Sequence, residues 1–319
     1  MTRRAVTALV LCALVGAGAA GGAHTGGTPV AFVAIPAASE LAVVLLGTGR
    51  VLARVRVPRG PQELAAYHEP GGRNFVLVTS PAAGAVTMID ARTRRIVKVW
   101  RGFGRPSGIV VDALRAYVTD TSRGQLVVLD LRSRRIVARI EVGGRPHALA
   151  VGDLAVIADE RRPSLALVAV RQRRVLARIR VGSVVRSVSE RPDTADVLVS
   201  YRDSGSIARI DWGRRRVAFR RDVAGRTGDI LVNFYTGDRV WVADEVEGRV
   251  RVAALRDGRI LQSAEGCPGA RALATVHRWR VVATCTRSAS LIDWDTSTGQ
   301  LRRTRLGGSP AGVAFTLLP

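Results

Sequence analysis

A unit of about 41 residues recurs along most of this chain, and a repeat of that length constrains the fold more than any single motif does. Each copy opens on a Gly-x-Pro turn and runs through four short apolar segments. The second and third segments often end in Asp, and an arginine-rich turn precedes the fourth. The clearest copy reads Gly104-Arg105-Pro106, then Gly108-Ile109-Val110-Val111, Ala116-Tyr117-Val118-Thr119-Asp120, Leu126-Val127-Val128-Leu129-Asp130 and Ile136-Val137-Ala138-Arg139-Ile140. With the proline as phase marker, the copies start at Pro61, Pro106, Pro146, Val185, Thr227, Pro268 and Pro310. Their spacings of 45, 40, 39, 42, 41 and 42 residues average 41.5. The apolar runs are short, rich in β-branched residues and bounded by turn residues, so they predict strands rather than helices.

Four strands per unit at this period is the signature of a propeller blade. Six complete units lie between Pro61 and Pro310. Ahead of Pro61 the chain offers three strands, around Phe32, Val43 and Ala53, and beyond Pro310 it offers one, around Val313. One C-terminal strand joined to three N-terminal strands completes a seventh blade and closes the ring, which removes the open sheet edge. The expected fold is therefore all-β: a seven-bladed β-propeller with four antiparallel strands per blade.

The segment Ala116-Tyr117-Val118-Thr119-Asp120, with Val128-Leu129-Asp130 and Ile140-Glu141-Val142-Gly143-Gly144-Arg145-Pro146, resembles the YVTN family of β-propeller repeat proteins, within the wider NHL and lactonase-like propellers. The resemblance spans the expected mature chain. It is strongest from Pro61 to Arg180 and weaker near Val185 and Thr227, where the proline is lost. Some propellers of this kind are lactonases or cofactor-dependent dehydrogenase subunits, but no motif here carries their functional residues across.

The N-terminus reads as an export signal. A basic start, Met1-Thr2-Arg3-Arg4, precedes an apolar run from Ala5 to Val15 and the small residues Ala17-Gly18-Ala19. The expected organisation is a signal peptide at 1–23, a linker at 24–28 and the propeller at 29–319. The apolar run is too short for a membrane anchor. The protein is thus expected in a secreted or extracytoplasmic setting, as a monomer. Two cysteines remain after processing, Cys267 and Cys285, and an oxidising compartment favours their pairing. They fall at the start of one unit and the end of its second strand, points that antiparallel neighbours bring together.

Net charge is +23, and Arg3 and Arg4 account for only two of those charges, leaving the mature chain near +21. Lys98 is the only lysine, a bias that fits a GC-rich genome. The positive sign favours acidic partners.

Antiparallel strands alternate between two faces of a propeller. Residues just after the proline position ring the channel mouth on one face: Glu63, Ser107, His147, Arg186, Asp229 and Arg271. The ends of the second strands add Asp120, Asp159 and Asp244 on the same face. His147, Arg186, Asp229 and Arg271 are the stronger ligand-binding candidates, because the repeat does not dictate them. The three recurring aspartates are equally the residues expected to cap backbone N–H groups. On the opposite face the turns before the fourth strands carry paired arginines, Arg94 and Arg95, Arg134 and Arg135, Arg173 and Arg174, Arg215 and Arg216. They are candidates for binding nucleic acid or an acidic polymer, or for blunting edge strands against aggregation.

No G-x-S-x-G, H-E-x-x-H or glycine-rich phosphate loop occurs, and only four histidines are present. The leading expectation is a non-catalytic exported binding or scaffold protein, taking a small ligand or protein partner at the mouth, with a basic opposite face. The alternatives are a lactonase-like hydrolase or oxidoreductase subunit using acidic mouth residues, and an electrostatic binder of nucleic acid or acidic envelope polymer. No cofactor is expected, though mouth carboxylates leave room for a divalent cation.

Overall fold

The computed structural model describes residues 27–69, 71–191, 194, 196–233 and 237–318. The expected signal peptide therefore lies outside the described residues. Strand β1 begins at Thr28, the last residue assigned to the linker.

Seven four-stranded antiparallel sheets succeed one another around a channel. Blade one joins β1 (Thr28–Ile35), β2 (Glu40–Leu45) and β3 (Arg50–Arg56) to the last strand, β28 (Val313–Leu318). Blade two is β4 (Leu64–His68), β5 (Asn74–Ser80), β6 (Ala85–Asp90) and β7 (Ile96–Trp100). Blade three is β8 (Pro106–Asp112), β9 (Arg115–Asp120), β10 (Gln125–Asp130) and β11 (Arg135–Glu141). Blade four is β12 (Pro146–Val151), β13 (Ala155–Asp159), β14 (Ser164–Ala169) and β15 (Arg174–Arg180). Blade five is β16 (Val185–Glu190), β17 (Asp196–Tyr201), β18 (Ser206–Asp211) and β19 (Arg216–Asp222). Blade six is β20 (Thr227–Val232), β21 (Arg239–Asp244), β22 (Arg249–Ala254) and β23 (Ile260–Ala264). Blade seven is β24 (Ala270–His277), β25 (Arg280–Cys285), β26 (Ser290–Asp295) and β27 (Leu301–Arg305).

The ring closes as the repeat arithmetic requires: β28 lies antiparallel to β1, with Val313 opposite Val33 and Leu318 opposite Thr28. Middle strands such as β10 (QLVVLD) are covered on both faces, which is why they read as unbroken apolar runs rather than alternating ones. Their two faces feed different cores. Tyr117, Leu126 and Val128 pack toward blade four, whereas Val118, Val127 and Leu129 pack toward blade two. The hydrophobic clusters each join two successive blades around the circle, including blade seven to blade one through Val282, Leu291, Val33 and Val44. At roughly 25 cal/mol per Å² of apolar surface, these shared cores hold the ring, since no blade can cover both of its own faces.

Hydroxyls near the end of the second strands stitch blade to blade. Thr119 Oγ1 donates to the His147 carbonyl at 2.7 Å, Ser200 Oγ to the Gly228 carbonyl at 3.0 Å, and Thr284 Oγ1 to the Ala311 carbonyl at 2.9 Å. Gly108 lies so close to the His147 carbonyl that any Cβ there would overlap it. The described residues include no helix long and apolar enough to cross a membrane.

Candidate functional site

The site is built by β-bulges. In blade three the register steps from Pro106 opposite Asp120 to Ile109 opposite Val118, so one extra residue is inserted in the inner strand. The same insertion follows Pro146, Val185, Thr227 and Ala270. In blade two, the Thr79 carbonyl accepts from the Gln62 N–H while the Thr79 N–H donates to the Glu63 carbonyl, a two-against-one pairing of the same kind. A bulge re-aims the side chains it carries, and here the carried side chains are Glu63, Ser107, His147, Arg186, Asp229 and Arg271. All six line a cavity of about 600 Å³ at the channel mouth.

Three further charged residues line it, Arg105, Glu160 and Arg202. None was among the residues picked from the sequence. Arg105 is the middle residue of a Gly-x-Pro turn, and Glu160 and Arg202 directly follow the second strands β13 and β17. A repeated backbone bond holds that following residue over the mouth, as in Glu160 N–H to Arg145 O at 2.7 Å and Arg202 N–H to Val184 O at 2.8 Å. The signal that could have found them is position: one residue past the recurring strand-two terminus.

The charges of the mouth fall into two groups. Glu160 is taken by arginines of the rim, with Arg145 Nε at 2.9 Å and Arg105 also paired to it. Glu245 is likewise held by Arg226 at 3.2 Å and reached by Arg186 at 3.6 Å. By contrast, the guanidinium groups of Arg202 and Arg271 have neither a hydrogen bond nor an ion pair among the described residues. Burial and the neighbouring Arg186 lower the Arg271 pKa, with Glu63, Glu245 and Asp229 acting in the opposite sense.

Across the cavity, Asp229 accepts hydrogen bonds from Ser187 Oγ, from the Ile230 N–H at 2.9 Å and from the Leu273 N–H at 3.4 Å. Burial nevertheless raises its pKa. Burial also raises that of Glu63, and the Asp229 charge adds to the rise. His147 is 9% exposed, and its Nε2 lies 3.0 Å from the Val185 carbonyl. A carbonyl can only accept, so Nε2 carries the proton and Nδ1 is bare. Burial lowers the ring's pKa to about 4, so it is neutral at physiological pH.

Asp120, Asp159 and Asp244 are not in the cavity wall. Each carboxylate turns back onto the connection that enters its own blade. Asp120 accepts from the Gly104 and Arg105 N–H groups at 2.8 and 2.9 Å. Asp159 accepts from the Arg145, Arg161 and Arg162 N–H groups, each at 2.9 Å. For Asp159, burial works upward but these donors outweigh it and the pKa falls. Asp244 accepts from the Gly225, Val246 and Glu247 N–H groups and meets Arg251 at 3.1 Å. The repeat thus places all three as turn caps rather than in the mouth.

The corresponding position in other blades performs the same tie with different chemistry. Ser80 Oγ donates to the Pro58 carbonyl and Tyr201 Oη to the Val181 carbonyl. In blade seven the tie is covalent: Cys285 is disulfide-bonded to Cys267, with Cα atoms 4.8 Å apart. No cluster of three or more His, Cys, Asp or Glu able to hold a metal occurs among the described residues. The paired arginines of the opposite face sit where the third strand turns into the fourth, with Arg135, Arg174 and Arg216 opening the fourth strands, and they are not among the residues lining the cavity.

No known family's sequence profile matches the chain, and no curated protein matches it in sequence. Solved structures match in shape. A hydrazine synthase chain from Kuenenia stuttgartiensis is 15% identical, with a TM-score of 0.70, over 82% of this chain and 90% of that one. A functionally unknown protein from Desulfotomaculum acetoxidans is 14% identical, with a TM-score of 0.74, over 91% and 98%. Apo AztD from Citrobacter koseri is 12% identical, with a TM-score of 0.66, over 92% and 98%. At these identities the likeness establishes a shared seven-bladed propeller fold, and proteins that share this fold carry different activities.

Proposed function

We propose that this chain is an exported, YVTN-type propeller that binds a small ligand bearing an oxyanion group in its channel-mouth cavity. One observation carries the reading. Arg186, Arg202 and Arg271 reach a cavity of about 600 Å³ from two blades, and two of these guanidiniums are unpaired among the described residues. Guanidinium donors are planar and forked, matched to carboxylate and phosphate groups. Their positions are set by bulges and strand ends of a closed ring, so little ordering cost attends binding. Glu63 and Asp229 on the same wall favour a ligand that also offers a donor, such as a hydroxyl or ammonium group.

The test is a thermal-shift panel of acetate, succinate, citrate and inorganic phosphate on the full chain and on Arg271→Gln. Support is a stabilising shift with at least one anion that Arg271→Gln abolishes. Equal shifts in both proteins, or none in either, would overturn the reading.

A second reading, as a hydrolase, draws on the pairing of Glu63 and Asp229 on one cavity wall, where burial raises both pKa values toward the range in which a carboxyl can exchange protons with a substrate. Turnover of simple lactones that Asp229→Asn removes, while the anion shift persists, would favour it.

A further inference from the structure

In the turns between third and fourth strands, beside Gly47 of blade one at φ of 85°, one shared position four residues past the end of the third strand adopts the left-handed backbone conformation. In blades one, six and seven that residue is glycine: Gly49, Gly258 and Gly299, at φ of 75°, 74° and 73°. In blades two to five it is arginine: Arg94, Arg134, Arg173 and Arg215, at φ of 59°, 57°, 54° and 55°. Side chains pay a steric cost there that glycine avoids. Genomic composition does not explain the exchange, because glycine codons are as GC-rich as those of arginine. Strain kept four times at one structural position therefore calls for a benefit.

Each of these arginines is followed directly by another, and none of the eight forms an ion pair with a described residue. Asp90, Asp130 and Asp211, the nearest carboxylates in sequence, are spent on their own turns, accepting the Thr93, Ser133 and Arg214 N–H groups at 2.7, 2.7 and 2.8 Å. The four turns belong to consecutive blades, and in two places a turn meets the fourth strand of the blade before it. Trp100 of blade two donates to the Arg134 carbonyl of blade three at 3.0 Å, and Arg173 of blade four reaches the Val137 carbonyl of blade three at 3.4 Å. Charge that protects edge strands stands on the fourth strands, as Arg139, Arg178 and Arg220 do and as Arg135, Arg174 and Arg216 do at their first residues, so it does not account for the left-handed arginine that precedes each strand.

We infer that these four turns form one continuous basic arc, on the face away from the cavity, that binds a flexible acidic polymer by charge alone. The polymer carries repeated phosphate or carboxylate groups and spans several blades. None of the arginine-bearing stretches 92–95, 132–135, 171–174 and 214–216 contains an aromatic residue, and Trp212 of the blade-five turn packs against the core between blades four and five, so the arc is read as binding charge and not stacked nucleobases.

The test uses fluorescein-labelled polyphosphate and the full chain. The variant replaces Arg94, Arg134, Arg173 and Arg215 together by glycine, the residue that the other three blades carry. The expected result is a melting temperature at or above that of the unaltered chain, with polyphosphate affinity reduced on the order of tenfold or more at low salt. Losing four contacts should lower the slope of log affinity against log salt by about 3, taking roughly 0.7 per charge for a single strand. A control with Arg56, Arg101, Arg161 and Arg287 changed to Gln removes the same charge from the mouth-side ends of the blades and should leave the slope nearly intact. The inference is overturned if the chain fails to bind polyphosphate at low salt, or if both variants lose the same slope. It is equally overturned if tripolyphosphate competes as well per charge as the long polymer, or if an oligonucleotide binds more tightly with a dependence on base. Arg271→Gln should not alter this binding, which separates it from the cavity reading.

Discussion

His147 offers a pH test whose size follows from the fold. The ring is inserted by the blade-four bulge, covered by its neighbours and held by Nε2–H donation to the Val185 carbonyl 3.0 Å away. Burial, together with the Arg202 and Arg186 charges, lowers its pKa from 6.5 to about 4. The folded state therefore disfavours the proton that the unfolded state accepts near 6.5. This contribution to stability is full above pH 6.5 and is lost as pH falls from 6.5 toward 4. At 1.36 kcal/mol per pK unit the complete loss is about 3 kcal/mol, and by pH 5 it is about 2 kcal/mol. Glu63 and Asp229 act with the opposite sign, because their raised pKa values add stability as pH falls through them. The comparison that isolates His147 is with His147→Gln, whose amide can still donate to Val185 but does not titrate. Urea unfolding of both proteins at pH 7.5, 6 and 5 and fixed ionic strength should show the unaltered chain losing about 2 kcal/mol relative to the variant by pH 5. Parallel stability curves would refute the placement of a neutral, buried ring.

Three other perturbations test how the mouth is held. Removing the disulfide with Cys267→Ala and Cys285→Ala releases a loop of sequence separation 18; urea unfolding should show a loss of about 3 kcal/mol. Thr119→Val deletes the hydroxyl that accepts from the Gly108 N–H at 2.9 Å and donates to the His147 carbonyl of the next blade. A loss of about 1–3 kcal/mol in the same assay is expected, and a neutral result would remove the stitch from the account. Asp120→Ala should cost stability on a similar scale by orphaning the Gly104 and Arg105 N–H groups, while the anion-induced thermal shift survives. Loss of that shift with stability unchanged would return Asp120 to the ligand site.

The legible and illegible parts of this molecule divide along backbone geometry. The seven blades could be read because each middle strand must be apolar on both faces, as in Leu126 to Leu129, and because the turns between such strands recur at a steady interval. The six bulge residues could be read because the proline position marks where each inner strand enters the channel. Arg105, Glu160 and Arg202 could not be read from strand alternation, since they lie in connections whose side-chain direction depends on the turn; for Glu160 and Arg202 only their place just past a recurring strand end marks them. Asp120, Asp159 and Asp244 share the mouth's face but not its wall: three-dimensional closeness to the turns that enter their own blades decides where their carboxylates point. The left-handed arginines were visible in principle. Aligning Asp90-Ala91-Arg92-Thr93-Arg94 with Asp295-Thr296-Ser297-Thr298-Gly299 puts arginine where glycine stands, but only φ reveals what that exchange costs.

The most direct test of the account is titration calorimetry of the full chain with whichever panel anion gives the largest thermal shift. It would be run on the unaltered protein, on Arg271→Gln and on the four-glycine arc variant. The account predicts one site per chain, an affinity at least tenfold weaker in Arg271→Gln, consistent with losing one charge-assisted pair, and no change in the arc variant. Several weak sites per chain, or an affinity that follows the arc and ignores Arg271, would contradict a mouth built to hold an oxyanion.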